Sequence, residues 1–315
     1  MSNLRIVFMG TPDFAVTILD SLLQNKYTVV GVITAPDKPA GRGRKIHTSA
    51  VKQYAEKNNL NILQPTNLKD PGFIKELEDL KANLQIVVAF RMLPKVVWQM
   101  PKHGTFNLHA SLLPQYRGAA PINWAIINGE TETGVTTFFI DDKIDTGETI
   151  LHKKINITAT ENAGVLHDRL MNLGAELVIE TLVQIENGSV NTKKQEDNSN
   201  LKLAYKIHKD TCKIDWTANA TKTYNLIRGL SPYPAAWTTL YNDDNGTPLK
   251  VYTTELEETE HNLSPGKLVF DKKTIKVAVP NGYIKLLEIQ LSGKRRMKTS
   301  DVLNGLQLKE TAYLD

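Results

Sequence analysis

Three stretches carry residue types that can do chemistry together. Asn107-Leu108-His109 runs into Ser111-Leu112-Leu113-Pro114, then Arg117-Gly118-Ala119-Ala120-Pro121, and Asp145-Thr146-Gly147 follows later. An asparagine donates through its NH2, and a charged imidazole donates through both ring nitrogens. Two convergent donors suit the oxyanion that develops in acyl or formyl transfer. A carboxylate such as Asp145 can orient the imidazole and favour its charged form. The alternative for Asn107 and His109 is a pair of polar side chains on a solvated sheet face.

The elements that must position these residues can be read outward from them. Thr105 to Ala110 reads as a strand, with Phe106, Leu108 and Ala110 on a core face and Thr105, Asn107 and His109 on the other. Pro114 stops regular pairing, and Gly118-Ala119-Ala120 lets a ligand or backbone approach closely. Val135 to Ile140 reads as a strand with Asp145 in the loop beyond it. In open α/β sheets, ligands bind outside the carboxyl ends of strands, where Asn107, His109 and Asp145 all map.

Further upstream, strands over Arg5–Met9 and Val29–Ile33 flank a turn at Gly10–Asp13 and a helical stripe of Phe14, Ile18 and Leu22. That order predicts a mostly parallel α/β sheet. Gly10 belongs to no full Gly-x-Gly-x-x-Gly fingerprint, which disfavours a dinucleotide site. Helices are expected over Ser49–Asn58, with Ser49 as N-cap, over Gly72–Lys81, over Pro121–Asn128 and over Glu161–Glu186, the last ended by Asn187-Gly188. Leu84 to Ala89 reads as a buried strand.

With 315 residues, 41% of them hydrophobic and 23% charged, the chain is of ordinary soluble type and long enough for about two domains. Its one cysteine, Cys212, excludes an intramolecular disulfide and fits a reducing cytoplasm. No signal peptide or membrane-spanning run is visible, so the expectation is a cytoplasmic protein without a membrane partner. The net charge of +4 allows a polyanionic partner without demanding one. Asp141, Asp142 and Asp145 gather carboxylates of the kind hard cations use, but Lys143 sits among them and the ligand set is incomplete. The reading is therefore no metal.

The stretch from Ala35 to Lys45 is rich in Pro and Gly and carries Arg42, Arg44 and Lys45, cations that suit phosphate. A solvated surface loop is the alternative. Polar residues over 190–206 read as a linker. Beyond Ile207, a helix through Tyr224 and Ile227 precedes short strands separated by Asn-Gly turns, the pattern of a small closed β barrel. Lys294-Arg295-Arg296 and Lys298 add a basic cluster, offset by Glu255, Glu257, Glu258 and Glu260.

Asn-x-His-x-Ser-Leu-Leu-Pro, Arg-Gly-Ala-Ala-Pro and Asp-Thr-Gly together resemble the motifs of the folate-dependent formyltransferases, and the resemblance runs from Arg5 to near Gly305. It implies Asn107, His109 and Asp145 as the catalytic triad, Ser111, Leu112, Leu113 and Pro114 as a folate-binding signature, and 10-formyltetrahydrofolate as the formyl donor. The loop around Arg42 and the segment Gly293–Met297 are similar to those of the formyltransferases that act on methionyl-tRNA. That similarity implies methionyl initiator tRNA as acceptor, with Arg42, Arg44 and Lys45 touching the tRNA. One departure is Phe90-Arg91, where the family more often has Tyr-Gly beside the pterin. The expected architecture is α/β: a Rossmann-like formyltransferase domain with a mostly parallel sheet (1–189), a linker (190–206) and an oligonucleotide-binding-like β barrel that binds tRNA (207–315), acting as a monomer. Formyl transfer to an amino-sugar nucleotide or a purine precursor, formyl hydrolysis, and a binding module without turnover are the competing readings. The complete Asn107, His109 and Asp145 set argues against the last.

Overall fold

The computed structural model describes residues 3–40, 45–196, 200–243 and 245–315. In chain order the elements are β1 (Arg5–Gly10), α1 (Asp13–Gln24), β2 (Thr28–Ile33), β3 (Lys38–Ala40), β4 (Lys45–His47), α2 (Ala50–Lys57), β5 (Ile62–Leu63), α3 (Pro71–Asp79) and β6 (Leu84–Val88). Next come α4 (Lys95–Trp98), β7 (Thr105–His109), β8 (Arg117–Gly118), α5 (Pro121–Ile127), β9 (Glu132–Phe139), β10 (Thr149–Asn156), α6 (Ala163–Glu186) and β11 (Leu203–Ala204). The remainder holds α7 (Ala220–Leu230), β12 (Ala236–Tyr241), β13 (Gly246–Glu258), β14 (Leu268–Phe270), β15 (Ile275–Val279), β16 (Gly282–Leu291), β17 (Met297–Lys298), α8 (Thr299–Leu303) and β18 (Tyr313–Leu314). The chain divides into two compact units, one of residues 1–118, 133–155 and 167–203, the other of residues 119–132, 156–166 and 204–315.

The first unit is built on a seven-stranded sheet in the order β10-β9-β7-β6-β1-β2-β5. From β7 to β5 every pairing is parallel, and β9 joins β7 antiparallel. All of β6 and all but the first residue of β1 are buried, as strands covered on both faces must be. α1 buries Phe14, Ile18, Leu19 and Leu22. It packs so close that a Cβ on Gly10 would lie 2.5 Å from that of Ala15. Gly10 is thus a packing glycine at a strand-to-helix turn. Ser49 caps α2, its Oγ accepting from Lys52 N at 3.0 Å. α3 starts before Gly72, because Asp70 caps it and Pro71 takes its first turn.

Some segments differ from the sequence expectation. β10 is an edge strand in which His152, Lys154 and Asn156 alternate with less exposed residues, but Lys153 stands between Leu151 and Ile155 on that inner face and breaks the apolar pattern. Part of the expected loop over Ala35–Lys45 is ordered as a ribbon, with Lys38–Ala40 antiparallel to Lys45–His47. Arg42 and Arg44 lie outside the described residues.

The second unit holds an antiparallel sheet in the order β14-β15-β16-β13-β12-β18, with β17 added to β16. Its two ends meet through a bridge between Lys267 and Tyr313 and a 2.9 Å bond from Leu314 N to Gly266 O, so the sheet is a nearly closed barrel. Val251, Val277, Val279, Ile284 and Leu286 fill it, and Trp216, Ile227 and Leu230 join the same core. Residues 119–132 group with this unit because α5 packs on α7, where Asn123 Nδ2 donates to Gly229 O at 2.7 Å. Among the described residues no helix is long and apolar enough to cross a membrane.

Candidate active site

β7 ends at His109, and the chain then folds back on itself. Ser111 Oγ donates to Gln115 O at 2.6 Å, and Thr136 Oγ1 donates to Ser111 O at 2.7 Å. Leu113 N in turn donates to Thr136 Oγ1 at 3.2 Å. Tyr116 takes a φ of 60° at the end of this bend. Its carbonyl thereby reaches His109 Nε2 at 2.8 Å. A carbonyl only accepts, so Nε2 carries a hydrogen. The other ring nitrogen, Nδ1, faces Asp145 Oδ2 at 3.8 Å. That separation is within ion-pair reach and too long for a hydrogen bond. The two side chains are only 8% and 12% exposed, so their mutual attraction is weakly screened.

Asp145 sits in the turn after β9 with φ 56°. Its Oδ2 accepts from Gly118 N at 2.9 Å. Gly147 completes the turn, where a Cβ would lie 1.7 Å from Phe139 O; no other residue fits. Gln195, from the stretch after α6, donates through Nε2 to Asp145 O at 3.0 Å and to Gly147 O at 2.7 Å. The neighbouring carboxylates point elsewhere. Asp141 accepts from Thr146 Oγ1 at 2.8 and 2.9 Å, and Asp142 pairs with Lys95 at 3.6 Å. Among the described residues no group of three His, Cys, Asp or Glu side chains could hold a metal ion.

Asn107 shares a strand face with His109, in register with Val87 and Phe138. Its Oδ1 is buried without a hydrogen-bond partner in the protein. Burying an amide atom unpaired is costly, which is tolerated where a bound molecule completes the bond. A half-turn of the amide plane sets the NH2 donor in the same place. The face is not a solvated one: Thr105 and His109 are both buried, and Thr105 Oγ1 bonds Gln85 Oε1 at 3.0 Å and Trp98 O at 2.7 Å.

The other expected site residues are placed as follows. Ser111 is fully buried with its hydroxyl turned onto Gln115 O, so its side chain shapes the bend, while Leu112, Leu113 and Pro114 are half-buried. Arg91 reaches from the loop after β6 to the loop after β5, donating to Thr66 O at 3.0 Å and to Pro65 O, with its guanidinium 5.6 Å from the Phe90 ring centre. Lys45 opens β4. In the barrel, Arg296 is paired with Glu288 and lies over the Tyr252 ring, whereas Lys294 and Arg295 are exposed. Tyr116 and Gln195 are the positions that sequence reasoning missed: Tyr116 lies between two motifs but acts through its carbonyl, which any residue has, and Gln195 lies in a polar stretch without a motif.

Comparison with known proteins adds the following. Residues 4–182 match the family model described as Formyl transferase, and residues 206–307 match the one described as Formyl transferase, C-terminal domain. The chain is 64% identical over 312 residues to the methionyl-tRNA formyltransferase of Flavobacterium johnsoniae, covering 99% of each chain. Among solved structures, HypX from Aquifex aeolicus in complex with tetrahydrofolic acid shares the fold with a TM-score of 0.66 at 17% identity. That alignment covers 98% of this chain and 49% of HypX. An N-formyltransferase from Helicobacter canadensis, complexed with folinic acid and dTDP-3-aminofucose, shares it with a TM-score of 0.64 at 21% identity, covering 93% of this chain and all of that one.

Proposed function

The chain belongs to the formyl transferase family, and on that premise we propose that it transfers a formyl group from 10-formyltetrahydrofolate to the α-amine of methionine on initiator tRNA, for the start of translation. The observation that carries the acceptor is the full-length relationship to a methionyl-tRNA formyltransferase. The amine attacks the formyl carbon of the donor, and negative charge develops on the formyl oxygen. Collapse of that intermediate breaks the bond from the formyl carbon to N10, which leaves as the NH of tetrahydrofolate on taking up the proton that the amine gives. The Asn107 amide supplies one hydrogen bond to that oxygen, which agrees with its unpartnered buried atom. Protonated His109 supplies a second through its Nδ1 edge, since Nε2 is committed to Tyr116 O. Asp145, facing that edge, holds the imidazole and takes the proton that the amine must lose, directly or through one water.

Leu112, Leu113 and Pro114, on the bend shaped by Ser111, line the donor site in this reading. Arg42, Arg44 and Lys45 meet the tRNA backbone, and the barrel adds the exposed Lys294 and Arg295. The enzyme acts as a monomer in the cytoplasm. The test is formyl transfer from 10-formyltetrahydrofolate to charged initiator tRNA, free methionine and an amino-sugar nucleotide in parallel. Transfer to the charged tRNA alone is the expected result; preference for either small amine overturns the acceptor assignment.

A further inference from the structure

We propose that Gln195 is a positioning residue for the Asp145–His109 pair, an inference that rests on the formyl-transfer reading of that pair. The half-buried Gln195 side chain uses both ends of its amide. Its Oε1 accepts from Arg117 Nε at 3.1 Å and Nη2 at 3.0 Å. Its Nε2 donates to the carbonyls of Asp145 at 3.0 Å and Gly147 at 2.7 Å. The backbone beside it is pinned by the reciprocal 2.9 Å bonds between Lys193 and Thr149.

These bonds close a ring around the carboxylate. Gly118 N holds Asp145 Oδ2, Arg117 precedes Gly118, Arg117 holds Gln195, and Gln195 holds the Asp145 carbonyl. Asp145 itself takes φ 56°, a left-handed backbone that a residue with a Cβ keeps only where its surroundings hold it there. The two carbonyls that Gln195 grips flank the turn. Few side chains can replace it: an ionised carboxylate cannot donate, an ammonium cannot accept, and asparagine is one methylene shorter. The stretch 190–206 is therefore more than a connection, because it carries the brace of the candidate catalytic turn.

The test compares wild type, Gln195→Met and Gln195→Glu in the full-length chain, measuring kcat and KM with charged initiator tRNA and donor affinity separately. Gln195→Met keeps the volume without the hydrogen bonds. Gln195→Glu keeps the acceptor for Arg117 but loses both donations. Both variants are expected to lower kcat by about 10- to 100-fold with donor affinity unchanged, the scale of a small misplacement of a catalytic group. In an Asp145→Asn background the same change is expected to lower kcat by less than about twofold, since the carboxylate being positioned is gone. A kcat within about twofold of wild type in both single variants overturns the inference, as does an equal loss in the two backgrounds. If wild type transfers formyl to a small amine instead, and the ratios hold there, the acceptor assignment fails while the role of Gln195 stands.

Discussion

His109 donates through Nε2 to the carbonyl of Tyr116 at 2.8 Å, so one edge of the imidazole is anchored by main chain that the Ser111–Tyr116 bend brings back over it. In the proposed reaction Nδ1, the nitrogen that faces Asp145, is then the edge left to donate to the formyl oxygen. This division of labour, one nitrogen for orientation and one for chemistry, follows from the acceptor-only nature of a carbonyl.

Asp145→Asn tests that division. The asparagine carbonyl oxygen can still accept from Gly118 N, so the turn is kept while the charge facing Nδ1 is removed. Turnover is expected to fall by about two to four orders of magnitude, the range of general acid–base contributions. His109→Ala should fall at least as far, with donor affinity near that of wild type, because both groups act in the transition state. Single-turnover kinetics with donor titration measures both quantities. A loss confined to donor affinity would show that the pair serves binding.

Asn107→Ala removes the amide whose Oδ1 has no partner in the protein. For one oxyanion donor the expected cost is about 3–4 kcal/mol in the barrier, or about 10²–10³ in kcat. Folding stability should change little or improve, since an unpaired buried polar atom is removed along with the packing. Thermal unfolding beside kcat distinguishes this from a structural role, in which stability drops and turnover of the folded fraction is kept.

The strand that carries Asn107 and His109 was legible because Phe106 and Leu108 alternate with polar residues, and the Ser49 cap because its bond to Lys52 N is local. What was not legible depends on partners far apart in the chain. Gln195 meets Arg117 across 78 residues, and nothing in a polar stretch announces which amide will do so. Ser111 reads as part of a ligand motif, but its hydroxyl is spent on Gln115 four residues on. The barrel was legible as short strands between turns, whereas the length of β13, which runs from Gly246 to Glu258, was not. Glu255 and Glu257 read as charges offsetting the basic cluster of Lys294, Arg295 and Arg296, yet within β13 each finds a lysine on the sheet, Lys285 at 2.8 Å and Lys276 at 2.6 Å.

Arg42→Ala addresses the acceptor. Removing one cation that neutralises a phosphate should flatten the dependence of tRNA affinity on salt by about 0.7–0.9 in logarithmic slope. Weaker tRNA binding at low salt with unchanged donor affinity is the expected outcome, and a Lys294→Ala, Arg295→Ala double variant should flatten the slope as well. Filter binding of charged tRNA across a salt series measures it. Equal slopes for wild type and both variants would remove the loop and the barrel cluster from the tRNA interface.

Glu288 makes the barrel's stability depend on acid. Its Oε2 is held by Arg296 and by Thr253 Oγ1, the latter at 2.7 Å. The Arg296 guanidinium first, and then the Thr253 hydroxyl, hold the carboxyl below its ordinary value of 4.5. A carboxylate whose folded pKa is depressed contributes stability that is fully present above the unfolded value and is lost as pH falls through the folded one. The window therefore opens near pH 4.5 and extends downward. Glu288→Gln abolishes the titration, so its melting temperature should lie below that of wild type at pH 7, and the gap should narrow as pH is lowered from 4.5. The narrowing should be weaker at high salt, since the Glu288 and Arg296 side chains are 33% and 38% exposed and their charges are open to screening. Thermal unfolding of the two proteins between pH 7 and pH 3, at low and high salt, measures the gap. A gap that stays constant across that range would show that Arg296 is held by the Tyr252 ring beneath it, 4.4 Å away, and not by the carboxylate.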